Sequence, residues 1–369
     1  MSCLYSENFN VTKLDVTGKK IWERLQDDES RDIFAHRYNY YLDCDENHLS
    51  NMLRATNARN RKRPHSLSFK NIWQLLEDAE LRNKEVVIYG AGGSFQFCRA
   101  LLEAENVRVG AVCDTVKHGG VIDGFPIISP EVLFTEYRNS PVVVSPFTRV
   151  LQREIYNFLI SRGFQEKFLF FYGTCFEQQY FGPPFITPVP DEVYIDGGCL
   201  DGETILDFID FAGNVRKIYG FEPVPESYAR TLEELSKKQI DYAMLFQKGL
   251  WDTSSILRFD LIDPEVGAAM ISEKGSVEIE TVSIDEVVNP ADKVTFIKLD
   301  IEGAELNALK GGAKTIHSCL PRLAVCVYHK PDDIVTIPNY ILSLSPDYRL
   351  YLRHHHRFEY VETVLYAIQ

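Results

Sequence analysis

Twice in this chain a short apolar run ends in a glycine-rich loop, a helix-forming stretch follows, and a second apolar run closes on a carboxylate. VVIYGAGGSF (86–95) leads to Asp114, 24 residues beyond Gly90, and VYIDGGCLDGET (193–204) leads to Glu222, 24 residues beyond Gly198. A strand that turns through glycine into a helix and returns as a parallel strand is the βαβ unit, whose helix start presents backbone N–H groups to a ligand. Two such units in succession restrict the chain to α/β architecture with open, mainly parallel sheets. At roughly 150 residues per domain, 369 residues hold two cores and an accessory segment.

The expected organisation is a helical N-terminal segment (1–82), a Rossmann-like domain (83–172), an aromatic and Pro-rich connector (173–190) and a second Rossmann-like domain (191–369). The first segment places apolar residues at helical spacing in IWERLQ and in Ile33, Phe34, Tyr38, Tyr41 and Leu42. In the last domain the runs VYIDGG, KIYGFE, AMLFQ, VTFIKLD and LAVCVYH, with two more at 348–353 and 361–368, predict seven strands. The final two follow each other with no helix between them, which predicts an antiparallel finish to a parallel sheet. A polar, hairpin-like insertion is expected at 254–282.

Composition excludes several classes of function. Thirty-nine Lys+Arg against 53 Asp+Glu leave a net charge of −14, and the longest basic run is Arg61-Lys62-Arg63. A general affinity for nucleic acid or an anionic membrane does not follow from such a balance. The weakly charged stretch 168–190 carries Glu177 and four prolines, so no membrane insertion is expected. MSCLYSENFN shows no basic region followed by an apolar one, and the eight cysteines form no CxxC pair. A cytoplasmic protein with reduced thiols is the expectation. Self-association into a homo-oligomer stays open.

In the first glycine loop Gly90 and Gly92, with Gly93 beside them, supply two of the three glycines of a dinucleotide fingerprint, and Asp114 sits where an acid could hold a ribose. A second nucleotide site and a plain tight turn are both open there. In the second loop Gly197 and Gly198 allow close approach to the backbone, Gly202 lets the helix start pack, and Glu222 can accept both ribose hydroxyl protons. Asp196 adds a negative charge that suits a cationic ligand better than a pyrophosphate, favouring S-adenosylmethionine over NAD. Ligands of such sheets lie beyond the carboxyl ends of the strands, which assigns Asp196, Glu222, Asp300 and His329 to one rim. His354, His355 and His356 read as sheet and rim residues, because alternate side chains on a strand face opposite ways.

IDGGCLDGET, YGFEPVPE, SIDE, FIKLDIEGAELNALKGG, VYH and ETVLY together resemble the FkbM family of S-adenosylmethionine-dependent methyltransferases over about residues 190–369. The resemblance implies a seven-stranded methyltransferase sheet and O-methylation of a saccharide, nucleotide sugar or related small-molecule hydroxyl. It implies cofactor contacts from Asp196, Gly197, Gly198, Gly202, Thr204, Glu222, Pro223 and Asp300. Catalysis is expected from His329 as proton acceptor together with Asp300. A divalent metal such as Mg²⁺, held by Asp300 and Glu302, is left open. Two other readings remain: a nucleotide-dependent oxidoreductase or epimerase using the first loop, which lacks a TyrxxxLys relay in 86–171, and a noncatalytic nucleotide-binding scaffold.

Overall fold

A computed structural model describes residues 14–60, 70, 72–146, 149–172, 179–263, 268–271, 277–356 and 359–369. They fall into two compact units, one drawing on 1–57 and 178–369, the other on 58–177. In the first unit, α1 (Val16–Arg24) and α2 (Asp28–Asp43) precede β1 (Glu192–Gly197), α3 (Glu203–Ala212), β2 (Val215–Phe221), α4 (Pro225–Lys237) and β3 (Ala243–Phe246). There follow β4 (Phe296–Leu299), α5 (Glu305–Gly311), β5 (Arg322–Cys326), α6 (Asp333–Leu344), β6 (Arg349–His354) and β7 (Thr363–Ile368).

Strands β1, β4 and β7 are buried at every residue, so they must lie inside a sheet covered on both faces. The strand order is β3-β2-β1-β4-β5-β7-β6. Neighbours from β3 to β5 run parallel, and β7 is antiparallel to both β5 and β6. The seven strands and the antiparallel finish expected from the sequence are thus present.

The insertion is more than a hairpin. Gly249–Leu250, Val277–Val282, Ser255–Asp263 and Ala268–Ile271 pair in that order as a four-stranded sheet. Its first strand carries the chain back to the cleft described below.

The early helices are part of this unit and not a segment of their own. Asp15 and Asp27 cap them by accepting from Gly18 N and Ser30 N. Their apolar stripe, Ile21, Leu25, Ile33, Phe34 and Tyr38, joins one core with Ile341, Leu350 and Leu352. Polar ties seal the contact: Leu352 N donates to Ser30 Oγ (2.9 Å), Arg353 pairs with Asp27 (2.6 Å) and Glu29 (3.3 Å), and Arg37 Nε donates to Thr363 Oγ1 (2.8 Å). Ile186 likewise belongs to the core over β1 and β4, so this end of the expected connector is structural.

The second unit is a six-stranded sheet in the order 121–122, 125–128, 109–113, 86–89, 142–144, 169–171. All pairs are parallel except the first. Phe125–Ile128 is a strand despite Pro126, a residue that inside a short apolar run ordinarily marks a turn or an edge.

Candidate active site

A cleft of about 260 Å³ opens beyond the carboxyl ends of β1, β2 and β4, lined among others by Gly198, Glu222, Asp300, Glu302, Tyr328 and Glu362. Loops end there because parallel strands terminate together, and an open sheet offers its ligands that edge.

On one side the chain leaves β1 through Gly198, at φ +77°, where an added Cβ would lie 2.0 Å from Asp300 O. Only glycine permits that approach. Glu222, following β2, accepts from Leu200 N and Val224 N, both at 2.9 Å, so each oxygen is oriented by a backbone donor and keeps a lone pair for the cleft. Burial raises its pKa, opposed by those two backbone hydrogen bonds. Pro223 lines the same wall. Gly197 is the last residue of β1, and Gly202 caps α3 against Thr231.

Asp196 does not reach the cleft. It is fully buried, with Oδ1 at 3.1 Å from Lys298 Nζ and Oδ2 accepting from Thr204 Oγ1 at 2.5 Å. Its charge is spent on that ion pair, so the expected attraction of a cationic ligand by Asp196 fails, and Thr204 serves Asp196. Lys298 Nζ also donates to Gly197 O (3.0 Å) and Gly198 O (2.6 Å), bracing the glycine loop from below. Burial disfavours the Lys298 charge, but Asp196 and Asp300 outweigh it and raise its pKa. A lysine inside the apolar run VTFIKLD demands such a partner, and that was the available signal for it.

On the other side Asp300 Oδ2 accepts from Tyr180 OH (2.8 Å) and Oδ1 from Tyr328 OH (3.1 Å). Burial pushes its pKa up, yet Lys298, His329 and the Tyr180 hydrogen bond prevail and hold it below the ordinary value. Glu362, at φ +62°, accepts from Gln179 Nε2, and burial with the charge of Asp300 lifts it to about 8. Tyr328 and Glu362 lie in the motifs VYH and ETVLY, and Tyr180 in the aromatic connector, where local sequence alone does not show that they converge on one carboxylate.

His329 is not the free imidazole expected. Its side chain is 9% exposed; Nε2 lies 3.6 Å from Asp300 Oδ1 and 3.5 Å from Glu302 Oε2, and Nδ1 lies 3.0 Å from Glu305 Oε1. These contacts are ion pairs lacking hydrogen-bond alignment at either ring nitrogen. Burial lowers its pKa, but Glu305, Asp300 and Glu302 reverse that and raise it to about 9. At neutral pH it is a cation and accepts no proton.

A divalent ion such as Mg²⁺ fits this donor set poorly. Asp300 clusters once with Cys326 and Glu362 and once with Glu305 and His329, but Mg²⁺ seeks open oxygen ligands. Here both Asp300 oxygens already accept phenol protons and the remaining donors include a thiol and an imidazolium.

His354, His355 and His356 meet Thr363 Oγ1, Tyr366 OH and Glu359 N respectively, as separate structural contacts. In the second unit, Gly90 lies at φ +115° against Ser145, and Gly92 and Gly93 face open space. Asp114 accepts from Ala91 N, Val116 N and Lys117 N, each at 2.9 Å. These bonds tie the loop after Gly90 to the loop that Asp114 opens.

Burial lifts Glu302 to about 7, Asp333 to about 7 and Glu362 to about 8, while His329 reaches about 9. All four bind protons more tightly folded than unfolded. Unfolding therefore releases protons between about pH 5 and 9, and stability falls as pH rises through that window. Thermal melts should show it, with a shallower slope in Glu362→Gln; identical slopes in the two proteins would contradict the assignment.

Strand order, antiparallel seventh strand and the position of the cleft are those of an open, mainly parallel α/β sheet with its ligand edge at the strands' carboxyl ends. More narrowly, residues 196–360 match the family model described as the Methyltransferase FkbM domain. The hexuronic acid methyltransferase AglP of Haloferax volcanii is 32% identical over 104 residues, 27% of this chain and 43% of that protein. The 2-O-methyltransferase NoeI of Sinorhizobium fredii is 24% identical over 148 residues, 34% and 60% of the respective chains. The chain thus spans less than two thirds of either relative. The crystal structure of an FkbM methyltransferase from Methylobacillus flagellatus aligns over 88% of this chain and 100% of its own, at 20% identity and a TM-score of 0.41.

Proposed function

We propose that this chain transfers a methyl group from S-adenosylmethionine to a hydroxyl of a saccharide, nucleotide sugar or related small molecule. The observation that carries the reading is that one cleft joins a nucleoside-type wall, Gly198, Leu200, Glu222 and Pro223, to a wall of carboxylates and a phenol, Asp300, Glu302, Glu362 and Tyr328. The first wall fits the cofactor: the Gly198 turn leaves no room for a side chain, and the fixed Glu222 carboxylate can accept from two ribose hydroxyls. S-adenosylmethionine supplies an electrophilic methyl with a neutral thioether as leaving group.

The chain's own work is then to hold an acceptor hydroxyl in line and receive its proton. The ionised Asp300, fixed by two phenols, can orient that hydroxyl. Of the two relatives, the hexuronic acid methyltransferase supports a sugar as acceptor and the 2-O-methyltransferase supports oxygen as the atom methylated.

Replacing Glu222 by Ala removes charge-assisted contacts of about 1.5–3 kcal/mol, so cofactor affinity should fall on the order of 10- to 100-fold. Calorimetry with S-adenosylmethionine measures it, and unchanged affinity would remove Glu222 from the site. Transfer of labelled methyl groups to a panel of glycosides and nucleotide sugars tests the function itself.

A further inference from the structure

Resting on the proposed methyl transfer, we infer that Glu302 is the catalytic residue that takes the acceptor's proton, and that His329 is a positioning residue clamped between Glu302 and Glu305. Four observations lead there. Glu302 lines the cleft with its side chain 39% exposed, whereas His329 lies behind it. Its backbone sits at φ +56°, a left-handed conformation unfavourable for a glutamate, just before Gly303 at φ +91°. Such strain persists where the surroundings impose it and clusters at functional sites; here Lys330 Nζ grips Gly303 O. The other two carboxylates of that wall are engaged, Asp300 by Tyr180 and Tyr328 and Glu362 by Gln179. The carboxylate of Glu302 is instead paired with His329 Nε2 at 3.5 Å.

The imidazolium has a carboxylate at each end: Glu302 toward the cleft and the fully buried Glu305 at Nδ1, 3.0 Å away. The charged and titratable groups facing it are Asp300 just past β4, Glu302 of the following turn, Glu305 of α5, Asp333 of α6, Glu362 just before β7, and Tyr328 and Lys330 on either side of it in sequence. Glu302, lifted to about 7, is matched to proton transfer near neutral pH, a requirement that the depressed Asp300 fails.

In the transfer step the hydroxyl O–H bond breaks and its proton moves to Glu302, the O–CH₃ bond forms, and the S–CH₃ bond breaks with its electron pair on sulfur. Glu302 then loses the proton to solvent on its exposed side, one proton per turnover.

The test uses the full chain with methyl glycosides of a neutral hexose, an amino hexose and a hexuronic acid. Glu302→Gln should bind S-adenosylmethionine like wild type and lose about 10²- to 10⁴-fold in kcat. His329→Gln should keep cofactor binding and move the acid limb of the pH–rate profile upward, because a cation that favoured ionised Glu302 is gone. NMR titration of the histidines supplies a readout independent of turnover: His329 stays protonated to about pH 9, and Glu302→Gln lowers its midpoint. Full activity in Glu302→Gln, an unmoved acid limb in His329→Gln, or a His329 that titrates near 6.5 would each overturn the inference. If wild type binds the cofactor but methylates none of the glycosides, the proposed function fails, and the titration still decides whether the clamp exists.

Discussion

Replacing Gly198 by alanine should destabilise the protein by on the order of 3 kcal/mol and deform the cleft proposed to hold the cofactor. Two costs combine. The residue sits at φ +77°, where a Cβ strains the backbone, and that Cβ would stand 2.0 Å from the carbonyl oxygen of Asp300, a backbone atom that cannot rotate away. Strain of this kind costs about 1–3 kcal/mol and overpacking a similar amount. Relief requires moving either the β1 loop or the end of β4, and both form the cleft. Gly213 is the control, at φ +68° with nothing within 4 Å of the point a Cβ would occupy; Gly213→Ala should cost about 1 kcal/mol. Urea unfolding of the two variants compares them, and equal losses would show that the close approach is not what matters.

Replacing Lys298 by methionine should cost about 3–5 kcal/mol, because it leaves Asp196 buried and uncompensated. The side chains of Lys298 and Asp196 are 2% and 0% exposed. Water cannot solvate what the ammonium leaves behind, and the carbonyls of Gly197 and Gly198 lose their donor as well. Removing the acid too, in Asp196→Asn with Lys298→Met, should recover much of the loss, since the penalty comes from the orphaned charge and not from the absent pair. Denaturant midpoints for the single and double variants measure this. A single variant within about 1 kcal/mol of wild type would mean that Asp196 takes up a proton or another partner at little cost.

The seven strands of the larger sheet were legible because each is a short apolar run bounded by turn residues, a signal contained within ten residues of sequence. The position of Glu222 was legible for the same reason: the spacing from glycine loop to acid follows from the length of one βαβ unit. What escaped was carried by distant contacts. Asp196 reads as a ligand-facing charge until Lys298, 102 positions later, is seen beside it. His329 reads as a base until three carboxylates are found around its ring. The helices α1 and α2 read as a separate segment because their apolar stripe is visible but its destination, β6 and β7, is more than 300 residues away. At Asp114 the spacing from Gly90 was legible, while the three backbone amides that its oxygens accept from were not.

The seating of α1 and α2 on the last two strands bears on how this protein is made. On the ribosome, these helices emerge some 300 residues before β6 and β7, whose Leu350, Leu352 and Leu365 share the core with Ile21, Ile33 and Phe34. The unit drawn from 58–177 is complete well before then and can fold on its own schedule, as domains do during synthesis. The early helices must therefore wait with an apolar stripe uncovered, a period in which chaperones have something to hold. Their docking onto β6 and β7 is a late, long-range closure, slow to form because so much chain must be looped out before it gains anything.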